Sequence, residues 1–412
     1  MSRLPVPALA LGLLLLGGCA GTAEQDHQAS EERLLHTSPG LAVEIAWGAQ
    51  LAPKGIDRYQ RGQPRARQDK LYLADLDGRV SRYRLHDGQI EWQRHFPTRF
   101  SGGPQLADGL LLLGSLDALV LALNENDGEL LWQTRVSSEV LAPPMLAGDR
   151  VVAQTGDGKI FGLRADNGRQ VWVYDRRVPL LSLRGTSKPL IAGDKVIAGF
   201  ASGKLVALAL DDGKVLWETS IAVPKGRSEL ERMIDIDAAM VLRDGIVYAA
   251  SYQGRLAAVT ADSGRIMWTR EMSTPLDIAL AGEHLFLTDA DGRIWALDRA
   301  TGATIWRQEK LAGFAITAPT VSGTRLFVGD RAGNLHVLAQ QDGRLLGHIE
   351  GEHVLQHSGV SSLVDQIDEP AYLSNFWEHP RALAKAPQAT AHGLLLAYQN
   401  GAVALVRERP EP

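Results

Sequence analysis

The sequence predicts an all-β fold: an eight-bladed β-propeller of four-stranded antiparallel blades, closed by an N-terminal strand that completes the last blade. Three observations predict it. A turn, strand, turn, strand frame recurs along the chain, and a further turn precedes each copy by ten residues. The last copy is cut short, while the folded part begins with a lone strand.

The clearest copy runs Asp291-Gly292-Arg293-Ile294-Trp295-Ala296-Leu297 and continues through Thr301-Gly302 to Trp306. A middle turn at Gly292 is followed ten residues later by a closing turn at Gly302, and four residues beyond that by Trp. The frame recurs at Gly78/Gly88/Trp92, Ala118/Gly128/Trp132, Gly158/Gly168/Trp172, Gly203/Gly213/Trp217 and Gly254/Gly264/Trp268. A seventh copy has Gly333 and Gly343 but Gly347 in place of Trp, and an eighth has only Gly401. Opening turns fall at Gln68, Asp108, Gly148, Gly193, Asp244, Gly282, Gly323 and Ala391, each before a short apolar strand such as Leu110 to Leu113. Three turns and four strands per period of about 40 residues describe a propeller blade, because one such sheet buries its faces only against its neighbours.

Taken from the start, Arg3 and an apolar core from Leu9 to Leu16 read as a signal peptide over residues 1–18. The core is too short for a membrane span, which needs about 20 residues. Leu16-Gly17-Gly18-Cys19 resembles the bacterial lipobox, which makes Cys19, the only cysteine, the expected lipidation site and mature N-terminus. Ala20 in place of Asp favours, by resemblance to other lipoproteins, the outer membrane over the inner. Residues 19–40 are polar and without period, so they read as a tether reaching about 25 Å by random-coil scaling. The propeller then occupies residues 41–412. Its first strand is expected at Leu41-Ala42-Val43-Glu44-Ile45-Ala46-Trp47, supplying the fourth strand that blade eight lacks and removing an open sheet edge.

With 412 residues, 45% hydrophobic and 22% charged, one toroid absorbs the whole chain. A net charge of -5 with no basic stripe argues against nucleic acid as the partner. One tryptophan on each outer strand is read as core filling the wedge between sheets, not as a cofactor box.

Opening and closing turns share one rim; middle turns and the connections between blades share the other. From each Trp to the next opening turn the connections take 14 to 17 residues in four cases, but 21 after Trp172, 27 after Trp217 and 44 after Gly347. Every insertion thus falls on one rim, which is where function is sought. The connection after Trp172 carries Leu181, Leu183 and Arg184; the next carries Asp235 and Asp237. Either the leucines pack down and Arg184 pairs with Asp235 or Asp237 to hold two loops together, or the set forms a partner site with exposed anchors beside a charge cluster. In the longest connection, His353 and His357 stand four apart with His379 further on. Without an accompanying Glu or Cys pattern they read as surface histidines rather than metal ligands. Phe376 and Trp377 are expected to pack that segment onto the rim.

The repeat Gly-x-apolar-x-Ala-Leu followed by Asp/Thr-Gly-x-x-x-Trp resembles the quinoprotein repeat first known from pyrroloquinoline-quinone dehydrogenases. With a lipobox and eight blades, the chain from Cys19 to Arg407 resembles the BamB family, the lipoprotein subunits of the machinery that folds β-barrels into the bacterial outer membrane. The resemblance implies that Leu181, Leu183, Arg184 and Gly185, with Asp235 and Asp237, lie in two loops that bind the periplasmic domains of BamA. It also implies membership of the Bam complex, attachment to the membrane by lipid, and no enzymatic activity, cofactor or metal. Two other classes compete. A quinone-dependent dehydrogenase would need calcium-binding carboxylates, a catalytic Asp and, usually, a vicinal cysteine pair, and the sequence shows none of these in a recognisable pattern. A periplasmic holding chaperone would capture nascent barrel strands by β-augmentation on exposed sheet edges.

Overall fold

The computed structural model describes residues 39–52, 63–176, 187–223, 227, 234–236, 238–358 and 382–408. Eight antiparallel four-stranded sheets follow one another along the chain. Blades one to seven span residues 65–95, 100–135, 145–174, 190–220, 241–271, 279–308 and 320–349. Blade eight combines strands within 388–408 with the N-terminal strand Val43–Gln50. Innermost strands of most adjacent blades touch around the axis. Each of eight apolar clusters spans a junction between two blades, so the core is distributed around the ring.

The turns form where backbone geometry requires them. Residues at the opening turns Gln68, Asp108, Gly148, Gly193, Asp244, Gly282 and Gly323 all have positive φ. Ala391 does not share this geometry, and in blade five the left-handed residue of the middle turn is Gln253, one position before Gly254. Closing-turn glycines face a second demand. At Gly213 φ is 71°, and an added Cβ would lie 2.6 Å from the Trp172 ring of the preceding blade.

That contact belongs to a joint repeated around the ring. The indole Nε1 of Trp172 donates to the Leu210 carbonyl at 2.8 Å, three residues before Gly213. Trp132 makes the same bond to Ala165, Trp217 to Ala261, Trp268 to Arg299 and Trp306 to Gln340, at 2.8 to 3.0 Å. The rings fill the wedge between sheets, as the sequence indicated, and each secures the closing turn of the next blade. One junction departs from the pattern. Arg82 donates to the Glu125 carbonyl at 2.9 Å, in the place Trp92 would use, and the buried Trp92 Nε1 has no partner among the described residues.

The closing strand is longer than expected and shifted. It spans Val43–Gln50, pairing Val43 with Glu408 and Gln50 with Ala402, with an irregularity between Ile45 and Trp47. The strand therefore does not end at Trp47. After the irregularity the Trp47 ring lies against Gly88 of blade one and Nε1 donates to the Leu85 carbonyl at 2.6 Å, so this residue makes the joint for blade eight. Leu51 and Ala52 then donate to the Gly401 carbonyl at 3.2 and 3.1 Å.

Gly347 is explained by the same closure. Blade eight has two separate chain segments where other blades have a closing turn, so blade seven has no such turn to secure. Residues 39–41 pass beside it instead: Leu41 donates to the His348 carbonyl at 2.8 Å, and a Cβ at Gly347 would lie 2.5 Å from the Pro39 carbonyl oxygen. The long insertion opens with the helix Gly351–His357, whose buried Val354 and Leu355 pack into the core between blades seven and eight. His379, Phe376 and Trp377 lie outside the described residues.

Candidate functional site

The rim of blade connections is built on blade four. Ser187, which follows the connection after Trp172, accepts a hydrogen bond from Gly199 N at 3.1 Å and donates to Gly199 O at 3.2 Å. Ile236, in the connection after Trp217, approaches the same glycine so closely that an added Cβ would lie 2.5 Å from its Cγ2. Gly199 lacks a side chain at the point where two successive connections meet. Ser187 and Ile236 thus meet at this one glycine.

Asp235 is buried, 3% exposed, between the equally buried Ile234 and Ile236. Its carbonyl accepts the Tyr252 N–H at 2.8 Å, forming an isolated antiparallel bridge to blade five. Backbone pairing and flanking isoleucines therefore fix this stretch of the connection against blades four and five. Leu181, Leu183, Arg184 and Asp237 lie outside the described residues, as does Cys19.

Charge at the base of the connection after Trp172 is organised by Glu218. Arg176 reaches its carboxylate at 2.6 Å and Lys204 bonds the same group. Hydrogen bonds from Arg176 and then Lys204 hold the carboxyl down at about 2. The Arg176 guanidinium also lies 5.4 Å from the Phe200 ring centroid. Its cationic head is thus held by a carboxylate and an aromatic face of blade four.

Val223 is a rim residue that sequence reasoning missed. At 63% it is the most exposed large hydrophobic side chain among the described residues, and it lies in the connection that carries Asp235. A single valine between Ala222 and Pro224 has no periodicity, so only its exposure singles it out.

No group of three or more His, Cys, Asp or Glu side chains gathers as metal ligands among the described residues. His353 and His357 do lie on one helix face with ring centroids 4.1 Å apart, but His357 Nδ1 donates to the His353 carbonyl at 2.9 Å.

The family profile described as outer membrane protein assembly factor BamB matches residues 76–308. The BamB of Alkalilimnicola ehrlichii is 44% identical over 346 residues, covering 84% of this chain and 88% of that protein. The BamB of Pseudomonas aeruginosa is 40% identical over 339 residues, covering 82% and 88% respectively. Among solved structures, BamB from Moraxella catarrhalis superposes with a TM-score of 0.74 at 26% identity, covering 89% of this chain and all 100% of that one. Profile, sequence and fold agree over most of the chain, and the chain belongs to the BamB family.

Proposed function

We propose that this protein is a non-enzymatic scaffold of outer-membrane protein assembly, lipid-anchored through Cys19 on the periplasmic side. Its rim of blade connections docks the periplasmic domains of BamA within the Bam complex. Membership of a family named for outer-membrane protein assembly supports the general role. The observation that supports the site is the convergence on Gly199 of Ser187, three residues after Arg184, and Ile236, next to Asp237 in the sequence.

Leu181 and Leu183 alternate with Ser182, so in an extended backbone they project together and suit an apolar groove on a partner. Arg184 and Asp237 supply charges that orient the contact, while buried Asp235 braces the loop from beneath. Co-purification of BamA from detergent-solubilised membranes tests this reading. Leu183→Glu or Arg184→Glu is expected to weaken capture by about 2 kcal/mol or more, the scale of an interface hot spot, without lowering the melting temperature. Asp149→Ala and Asn167→Ala, on the opposite rim, are expected to leave capture unchanged. Unaltered binding by the Leu183 and Arg184 variants would move the docking site elsewhere, with the insertion between His348 and Pro387 next to be tested.

A second reading rests on a separate observation. Outer strands carry exposed apolar side chains, including Leu131 at 50%, Leu216 at 48% and Met267 at 50%. Such edges suit capture of extended barrel strands by β-augmentation. Leu131→Lys and Leu216→Lys would reduce protection of an unfolded barrel from aggregation if the edges hold it, and would leave BamA capture intact.

A further inference from the structure

The axial channel contains a cluster of charges that the docking reading does not use. Beside it, the innermost strands of blades one, two, seven and eight border a cavity of about 420 Å³ lined by Arg65, Arg67, Gln105, Thr320 and Gln388. From the start of blade four, past blade three, Lys188 donates through Nζ to Gln105 Oε1 of blade two at 2.8 Å. This brings a second cation to the same space as Arg65.

Most polar groups in this wall are already engaged. Gln388 accepts the Ala66 N–H at 3.2 Å and donates to the Pro64 carbonyl, while Thr320 donates to the Pro387 carbonyl. Arg67 pairs with Glu125. Arg65 differs: its backbone pairs with Tyr72, but its guanidinium has no hydrogen-bond or ion-pair partner among the described residues and is affected by burial alone. Asp277 acts electrostatically on Lys188 as the opposing charge, and its carboxylate accepts the Ala239 N–H at 2.8 Å. Among the described residues, Lys188 therefore feels one neighbouring cation, Arg65, and one carboxylate, Asp277, beside this cavity.

We infer that the axial channel is a binding site for one small anion, a carboxylate or a phosphate, held between the Arg65 guanidinium and the Lys188 ammonium. The planar fork of an arginine matches either oxyanion in a two-point contact, while lysine supplies a compact charge. The volume lies within the range of small-molecule sites and is far too small for a folded partner. Burial, and then the nearby Arg65 charge, push Lys188 down to about 8, so its protonation responds to an arriving anion. The site lies on the axis, away from the connection rim, and does not depend on the docking proposal.

Calorimetric titration of the purified full-length protein with citrate, and separately with inorganic phosphate, tests the inference. Saturable binding of one ion per chain is expected, with the tighter of the two identifying the preferred oxyanion. Arg65→Gln and Lys188→Met should each weaken that binding at least tenfold, whereas Lys214→Gln, at an exposed turn, should leave it unchanged. Nuclear magnetic resonance of the Lys188 side chain in the wild type provides a test independent of those variants' folding. Saturation with the preferred anion should raise the Lys188 pKa. Absence of saturation with both ions, equal binding by the Arg65 and Lys188 variants, or an unmoved Lys188 would show an adventitious ion only and overturn the site.

Discussion

Gly347 leaves the space that Leu41 enters: a Cβ at this glycine would lie 2.8 Å from Leu41 Cγ, as well as 2.5 Å from the Pro39 oxygen. Gly347→Trp would restore the tryptophan of the repeat while displacing the N-terminal segment. Over-packing costs about 1–3 kcal/mol, and a clash with backbone places this case at the upper end. The variant is expected to lower the urea midpoint and expose the segment around Val43 to protease. An unchanged midpoint and digestion pattern would show that residues 39–41 do not occupy this space in solution.

Glycine serves two separable purposes in the turns. Gly148 has φ 55° and nothing within 4 Å of an added Cβ, whereas Gly213 has φ 71° and the Trp172 ring against it. Gly148→Ala should therefore cost only the left-handed strain, about 1–2 kcal/mol. Gly213→Ala should cost that plus about 1–3 kcal/mol from displacing the indole. Equal losses in denaturant titration would refute the ring contact as the added constraint.

The arrangement at Trp92 predicts unequal effects from identical changes. Trp132→Phe removes the bond to the Ala165 carbonyl at 2.8 Å, whereas Trp92→Phe removes an indole N–H with no partner among the described residues. Trp132→Phe should be the more destabilising by about 1 kcal/mol, the net value of a typical hydrogen bond. Replacing Arg82 with Met should be more damaging at its junction than losing the Trp92 N–H, because it leaves the Glu125 carbonyl without that donor.

Glu218 makes the base of the rim sensitive to acid. Its carboxyl, held at about 2 in the folded protein, lies below the ordinary glutamate value of 4.5. The stabilisation is therefore present above about 4.5 and is lost as pH falls toward 2. The stability difference between wild type and Glu218→Gln should be full at pH 7 and shrink across that interval. A difference that stays constant to pH 2, or grows, would contradict the pairing with Arg176 and Lys204.

Anchoring is tested at Cys19. Cys19→Ser should remove the acyl mass from the mature protein and release it from membranes, since each buried CH₂ contributes about 0.8 kcal/mol. Retention of the wild-type acyl mass would show that another residue carries the lipid.

The sequence by itself determined the blade number, the strand order and the positions of nearly all turns. A glycine ten residues from the next turn reports local backbone geometry, and an outer-strand tryptophan reports a demand repeated at most junctions. It also marked the rim where connections lengthen. Tertiary structure decided what depended on residues distant in the chain. It gave Gly347 its reason through Pro39 and Leu41, moved the closing strand past Trp47, and substituted Arg82 for the Trp92 donor. It buried Asp235, which the sequence had offered, with Asp237, as a partner for Arg184 or as part of an exposed partner site. Lys188 and Gln105 meet at a separation of 83 residues, with blade three between them, near Arg65. Local periodicity encodes a blade because its turns are local; closure and the channel arise only when the ring brings distant strands together.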